Sequence, residues 1–429
     1  MKSLKKMISF GIIAFLFGLL FSAPNIAFKS SKEWTLMFYM GTENKMYHNA
    51  KLYLQNLTKI ENDKINLIAL IDGDKKDDTF LYKIENNRLI NLEWEKESDT
   101  GNPETLEKFC RFSIENYPAN HYALLIISVG PGWQGICPDY RHGYRIFDLI
   151  THPSLENVLK NITDNGKRKI DLVSFVACLQ GMIEISYEIS PYANYFVAME
   201  TDNPFLDIWP DIEAIFNLTN DAEKFAVDIV KYFQPKVYHP CNNFIAKFFD
   251  SLPFKKLNIV TISTTLSAIN LSKVEKIVNG IDRLSHTAVK EIDAIKYARE
   301  KANEYGKWNP KYHVFYPIYD ALSLEIYAYD CNIDLYNFVE NLKNYSKNEE
   351  IKNVCNEIME SINDAVLDKK TISGLDNGLS IYFPEEKFLY NKPILLRKLH
   401  SLYENLAFSK DTYWDEFLKY YLGISNLFH

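Results

Sequence analysis

Glycine is scarce in this chain, 16 of 429 residues. That shortage excludes collagen-like and glycine-linker architectures. The six cysteines, at 110, 137, 178, 241, 331 and 355, form no CxxC pair and no zinc-ligand spacing. They are too sparse for a disulfide-built scaffold of this length, and the sequence does not say which of them pair. Basic charge shows no excess: Lys plus Arg is 48 against 56 for Asp plus Glu, a formal net charge of −8. With no basic block either, nucleic acid is excluded as a natural partner. Repeats and low-complexity tracts are absent. Beyond residue 23 there is no apolar run of the roughly 20 residues that a membrane span needs.

What is present is ordinary globular material, 47% hydrophobic and 24% charged. Such a chain buries a real core and is not disordered in the main. Lys2, Lys5 and Lys6 precede the apolar run Met7–Ala23. A basic start followed by a short apolar stretch reads as a secretory signal. Pro24 and the bulky Phe21 make a poor cleavage site, so an uncleaved anchor is the alternative for residues 1–27. The remainder is expected outside the cytoplasmic membrane, extracellular or in the cell envelope, with any membrane contact made by this segment.

From Trp34 onward short apolar runs alternate with amphipathic stretches. Expected strands are 34–40, 65–72, 122–128, 171–177 and 195–200, each a near-continuous apolar run of the kind buried on both sheet faces. Helical patterns lie between them at 44–60, 104–117, 154–163 and 179–190. A hairpin of 80–84 and 89–94 turns through Asn86-Asn87. This order predicts an α/β fold with a mostly parallel sheet flanked by helices. Residues 220–370 read as a helical subdomain, with helical spacing in 222–233, 271–285, 288–304 and 333–345. Residues 371–429 hold a final strand at 378–384 and C-terminal helices that pack on a core formed by 33–219.

Open parallel sheets place their sites at the carboxyl ends of strands. Two such ends stand out. In VSFVACLQG (173–181), Cys178 is expected to end a strand and begin a helix, whose dipole favours a thiolate nucleophile. A buried structural cysteine is the alternative. In SVGPGW (128–133), two glycines and a proline make a tight turn able to bring backbone N–H groups to an oxyanion.

These segments, with WTLMFYMGTEN (34–44), ALIDGD (69–74), DTGNPETLEKF (99–109), YPANHYALLIISVGPGW (117–133), IDLVSFVACLQGMIE (170–184) and NGLSIYFP (377–384), resemble the clostripain family of cysteine peptidases (peptidase family C11). The resemblance implies a caspase-like fold, a Cys–His dyad and cleavage beside Arg or Lys. It assigns Cys178 the nucleophile position and Gly130 an oxyanion-hole position. The family's His-Gly-x-Gly-Trp reads here Val129, Gly130, Pro131, Gly132, Trp133, so valine stands where the family has its histidine. The family's Asp-x-Cys reads Val176, Ala177, Cys178, so the pocket aspartate is also valine. Trp133, Glu200, Asp202 and Asp207 fall in stretches that line the substrate site in the family. Calcium dependence is implied by the resemblance alone, since no calcium loop is visible. No metal ligands and no cofactor are read from the residues.

Valine neither stabilises a thiolate nor protonates a leaving amine, a proton transfer worth about 10²–10⁴-fold. Without the aspartate a basic side chain loses its charge partner. The expectation is therefore an exported clostripain-like protein, catalytically inactive or impaired, that retains binding of a peptide or protein. The alternative is an active cysteine endopeptidase of altered specificity that uses Cys178 with His142 or a water as base. A purely structural envelope protein is a third reading. His121, at the wrong end of its strand, and His152, read as a surface residue before Pro153, are not candidates. Lys167-Arg168-Lys169 reads as an exposed turn that a protease can nick.

Overall fold

The computed structural model describes residues 32–42, 46–73, 75–139, 148–201, 212–234, 237–238, 262–307, 329–371, 376–391 and 402–425. The segment 1–27, His142, Asp202, Asp207 and Cys241 lie outside them.

In chain order the first half runs β1 (Lys32–Gly41), α1 (Met46–Leu57), β2 (Ile65–Asp72), β3 (Phe80–Glu85), β4 (Arg88–Leu92), α2 (Pro103–Asn116), β5 (Ala119–Ile127), β6 (Ile136–Asp139), β7 (Asp148–Ile150), α3 (His152–Ile162), β8 (Ile170–Val176), α4 (Ile183–Ile189) and β9 (Ala193–Ala198). The second half runs α5 (Ile212–Phe216), α6 (Ala222–Tyr232), β10 (Val237–Tyr238), β11 (Ile262–Ser263), β12 (Leu266–Asn270), α7 (Val274–Ala288), α8 (Ile292–Lys301), β13 (Glu304–Lys307), β14 (Tyr329–Asp334), α9 (Leu335–Tyr345), α10 (Glu349–Ala365), β15 (Val366–Lys370), β16 (Ser380–Tyr382), α11 (Ala407–Asp411) and α12 (Trp414–Tyr421).

The central sheet has the order β15-β12-β9-β8-β5-β1-β2-β3-β4. Its middle strands, β9-β8-β5-β1-β2, are parallel, and each edge carries an antiparallel pair. This is the expected mostly parallel sheet. The apolar strands are buried on both faces because successive side chains alternate. Met37, Tyr39, Leu124, Ile126, Val173 and Phe175 enter one apolar layer. Leu36, Phe38, Leu125, Ile127, Leu172 and Val197 enter the other. Helices α2, α3, α4, α7, α9 and α10 cover the first layer; α1 and α6 cover the second.

Local chemistry sets the helix starts. Asn102 and Thr151 cap α2 and α3 with side-chain oxygens, and a proline follows each cap, its fixed backbone already helical. The stretch read as mostly helical also supplies β12 and β15 to the main sheet. Strands β13, β14 and β16 form a second, antiparallel sheet. It is tied to the main body where Ser380 N donates to Gly181 O at 2.8 Å. Among the described residues no helix is long and apolar enough to cross a membrane.

Candidate active site

Strands β5 and β8 lie side by side, Ile127 opposite Val176, and both quoted motifs leave from their carboxyl ends. The chain after β8 does not enter a helix at Cys178. Helix α4 begins at Ile183, with Met182 as its cap. A helix dipole therefore does not reach the thiol, because the effect fades within the first turn. A tight turn holds Cys178 instead. Leu179 adopts φ 56°, a left-handed backbone that costs a non-glycine residue about 1–2 kcal/mol. Leu179 N donates to Thr201 O at 3.2 Å and Gly181 N to Met199 O at 2.6 Å. Strain fixed this firmly is typical of a functional turn.

Gln180 joins this turn to the glycine loop. Its buried Nε2 donates to Gly132 O (3.2 Å), Gly135 O (3.2 Å) and Cys178 O (3.3 Å). Gly130 is required by that join: a Cβ there would stand 2.5 Å from Gln180 Nε2 and 3.0 Å from Cys178 O. The two motifs are thus brought together.

His152 corrects the surface reading given to it. The residue is fully buried, and Nε2 donates to Gly132 O at 3.0 Å. Its imidazole is lowered to about 4 by burial, opposed by that hydrogen bond. It is therefore a neutral brace under the glycine loop. The local cue, a turn-like Thr-His-Pro, gave no hint of tertiary burial. His121 lies at the start of β5, with Nδ1 3.1 Å from Asp171 Oδ1 and its ring on Trp34. Lys167–Lys169 is an exposed turn.

Val129 and Val176 are buried in the apolar layer that holds Met40 and Ile127. Trp133, expected to meet substrate, has its ring packed in the core at 5.3 Å from both Tyr382 and Tyr403. Cys178 is fully buried and packs with Leu179 and Tyr305 of β13.

Around that tyrosine the structure gathers carboxylates that sequence reasoning largely missed. The Tyr305 hydroxyl donates to Asp376 Oδ1 at 2.6 Å and lies 3.4 Å from Asp334 Oδ2. Glu200 Oε2 accepts from Gly378 N at 2.7 Å, and Asn377 N donates to Asp334 Oδ2 at 2.7 Å. Burial, then Asp334 and Asp376, push Glu200 well above the usual carboxylate range. Burial raises Asp334 to about 6. Of this cluster the sequence singles out only Glu200, and it is buried. The turn signal Asp376-Asn377-Gly378, just before the last strand, was the available clue to the rest. Cys110, Cys137, Cys178, Cys331 and Cys355 are all buried. Among the described residues no group of three or more His, Cys, Asp or Glu suits a metal ion.

A mostly parallel sheet, helices on both faces and a strained cysteine turn at its carboxyl edge define a caspase-like cysteine-peptidase fold. The chain belongs to the clostripain family, whose sequence profile matches residues 38–421. Clostripain of Hathewaya histolytica is 25% identical over 202 residues, 37% of this chain and 36% of that protein, so the match spans about a third of the relative. A secreted C11 cysteine protease of Bacteroides thetaiotaomicron, solved with an irreversible peptide inhibitor, superposes with TM-score 0.55 at 15% identity, covering 91% of this chain and 98% of that one. An inactive zymogen C11 protease of Parabacteroides distasonis gives TM-score 0.55 at 17% identity, covering 89% and 99%. At such identities the likeness speaks for the fold.

Proposed function

We propose that this protein is an exported clostripain-family member that has lost peptidase catalysis and keeps a peptide-binding site at the carboxyl edge of its sheet. The observation that carries this reading is the packing of Val129 and Val176. Both sit in one apolar layer at the ends of β5 and β8, where the family has a histidine and an aspartate. Gln180 ties the strained turn at Cys178 to the glycine loop, which supports a retained site. A scaffold without its proton carrier cannot protonate a leaving amine, which is the step that releases product.

The basic residues before the apolar run 7–23 support export. The acidic chain supports a peptide or protein partner over a nucleic acid. The test is hydrolysis of a mixed peptide library, with and without calcium, by the purified protein, by Cys178→Ala and by the Val129→His/Val176→Asp double variant. The expected result is silence from the wild type and weak cleavage beside Arg or Lys by the folded double variant. Wild-type cleavage that disappears in Cys178→Ala would sink the reading and favour an active peptidase with another base.

A further inference from the structure

We propose that Asn332 holds the backbone of a bound peptide beside Cys178; the assignment rests on the reading of this site as a peptide-binding site. In the small sheet, Asn332 of β14 lies opposite Tyr305 of β13 on one side and Tyr382 of β16 on the other. Directly opposed residues share a face, so the three side chains form one row across the site. Tyr305 packs on Cys178 and Leu179. Tyr382 packs on Trp133. Asn332 stands between them against the glycine loop, its Nδ2 only 3.0 Å from where a Cβ on Gly132 would lie. The amide thus marks the seam between the two motif loops.

This amide is fully buried, and neither Nδ2 nor Oδ1 has a hydrogen-bond partner. A buried amide left unsatisfied is destabilising, whereas an apolar residue of the same shape is not. Packing alone therefore selects leucine at this position. What an asparagine adds is one donor and one acceptor in a plane, the complement of a peptide group. Gln180, close by, shows the contrast. Its Nε2 is already committed to three backbone carbonyls and serves to tie the loops. The amide of Asn332 is uncommitted. Peptide binding here requires the Tyr305 ring, which covers Cys178, to turn aside. A chain entering there offers its peptide C=O to Nδ2 and its N–H to Oδ1.

The experiment alkylates Cys178 in the full-length protein with a mixed library of N-chloroacetyl tetrapeptide amides and, separately, with chloroacetamide. Both form an Sγ–C bond, break C–Cl and release chloride, and the thiol proton goes to solvent. The electrophile is shared, so the ratio of rates reads peptide recognition alone. Labelling is mapped by mass spectrometry for the wild type, Asn332→Leu and Asn332→Ala. We expect peptide reagents to outpace chloroacetamide in the wild type. Asn332→Leu should lower that ratio about 10-fold, the worth of one or two hydrogen bonds. Its chloroacetamide rate should stay unchanged and its thermal midpoint should hold or rise. Asn332→Ala should lose the same ratio even if its midpoint falls. An unchanged ratio in both variants overturns the assignment. So does a fall in midpoint for Asn332→Leu with new labelling at Cys110 and Cys355, which marks a structural role. A wild-type ratio near one, or no peptide labelling at all, overturns the peptide-site reading itself and the assignment with it.

Discussion

Beneath Cys178 the site rests on the ends of β5 and β8, where Val129 and Val176 fill an apolar layer. Across from it stand Tyr305, Asn332, Asp334 and Asp376, polar residues carried by the small sheet and the turn before its last strand. This floor and roof differ in kind. The floor has the backbone of a peptidase and an apolar surface. The roof is crowded with carboxylates and hydroxyls, and burial with mutual repulsion raises Glu200 despite the opposing charge of Lys369. On the proposed reading, charge is absent from the two valine positions and gathers instead in the roof. A reading confined to the two motifs therefore describes only half of the site.

The largest expected effect comes from returning charge to the floor. Val176→Asp places a carboxylate in a layer of Met40, Ile127 and Val129, and should cost about 3 kcal/mol or more in urea unfolding. Adding Val129→His should recover about 1 kcal/mol or more, because the buried carboxylate then gains a partner. A neutral Val176→Asp would break the comparison, since it would mean the floor is already wet.

Tyr305→Ala removes the roof's contact with the thiol. We expect about 3 kcal/mol of destabilisation, as for other large buried side chains, and a rise of at least about tenfold in chloroacetamide labelling of Cys178. Cys110 and Cys355 are buried in the layer beneath the sheet and should stay unlabelled. If Cys178 remains protected, something other than Tyr305 closes the site.

The floor was legible in the sequence because its strands are buried on both faces. The apolar run 65–72 was read to the residue, and the others to within three residues at either end. The expected helix 179–190 starts too early: Gly181 is a poor helix former, and α4 begins after it, at Ile183. A tertiary contact stops it there: a Cβ on Gly181 would stand 2.9 Å from the backbone of Met199 and Glu200. The roof was not legible for a different reason. Tyr305, Asn332 and Tyr382 become neighbours only through strand pairing; β16 lies inside the expected strand 378–384, but β14 and the very short β13 fall in the stretch read as helical. Periodicity gives little in so few residues. His152 shows the same limit, since nothing local says that a cap-side histidine will be buried under a loop.

The smallest effects are those of pH, and they carry opposite signs on the two sides. His152, in the floor, falls from its ordinary value of 6.5 to about 4 through burial. The folded chain then binds fewer protons than the unfolded one in that interval, so stability is lost as pH drops from about 6.5 toward 4. Glu200, which reaches the roof from the end of β9 by accepting from Gly378 N, is raised above its ordinary 4.5 by burial and by Asp334 and Asp376. There the folded chain binds more protons, so stability is lost as pH climbs from about 4.5 through the raised value. Each group contributes a slope of at most about 1.4 kcal/mol per pH unit. Glu184 and Glu188, both near 7, and Asp72, near 8, share the sign of Glu200. They are present in every variant and drop out of the comparison. The measurement is the unfolding free energy at pH 5 and pH 7.5. His152→Phe should cost about 1 kcal/mol at pH 7.5 through the lost hydrogen bond to Gly132, and less at pH 5. Glu200→Gln should do the reverse, being most favourable at pH 7.5, where it removes a buried carboxylate and keeps an acceptor for Gly378 N. Shifts of the same sign in both variants would mean that one titration governs floor and roof together.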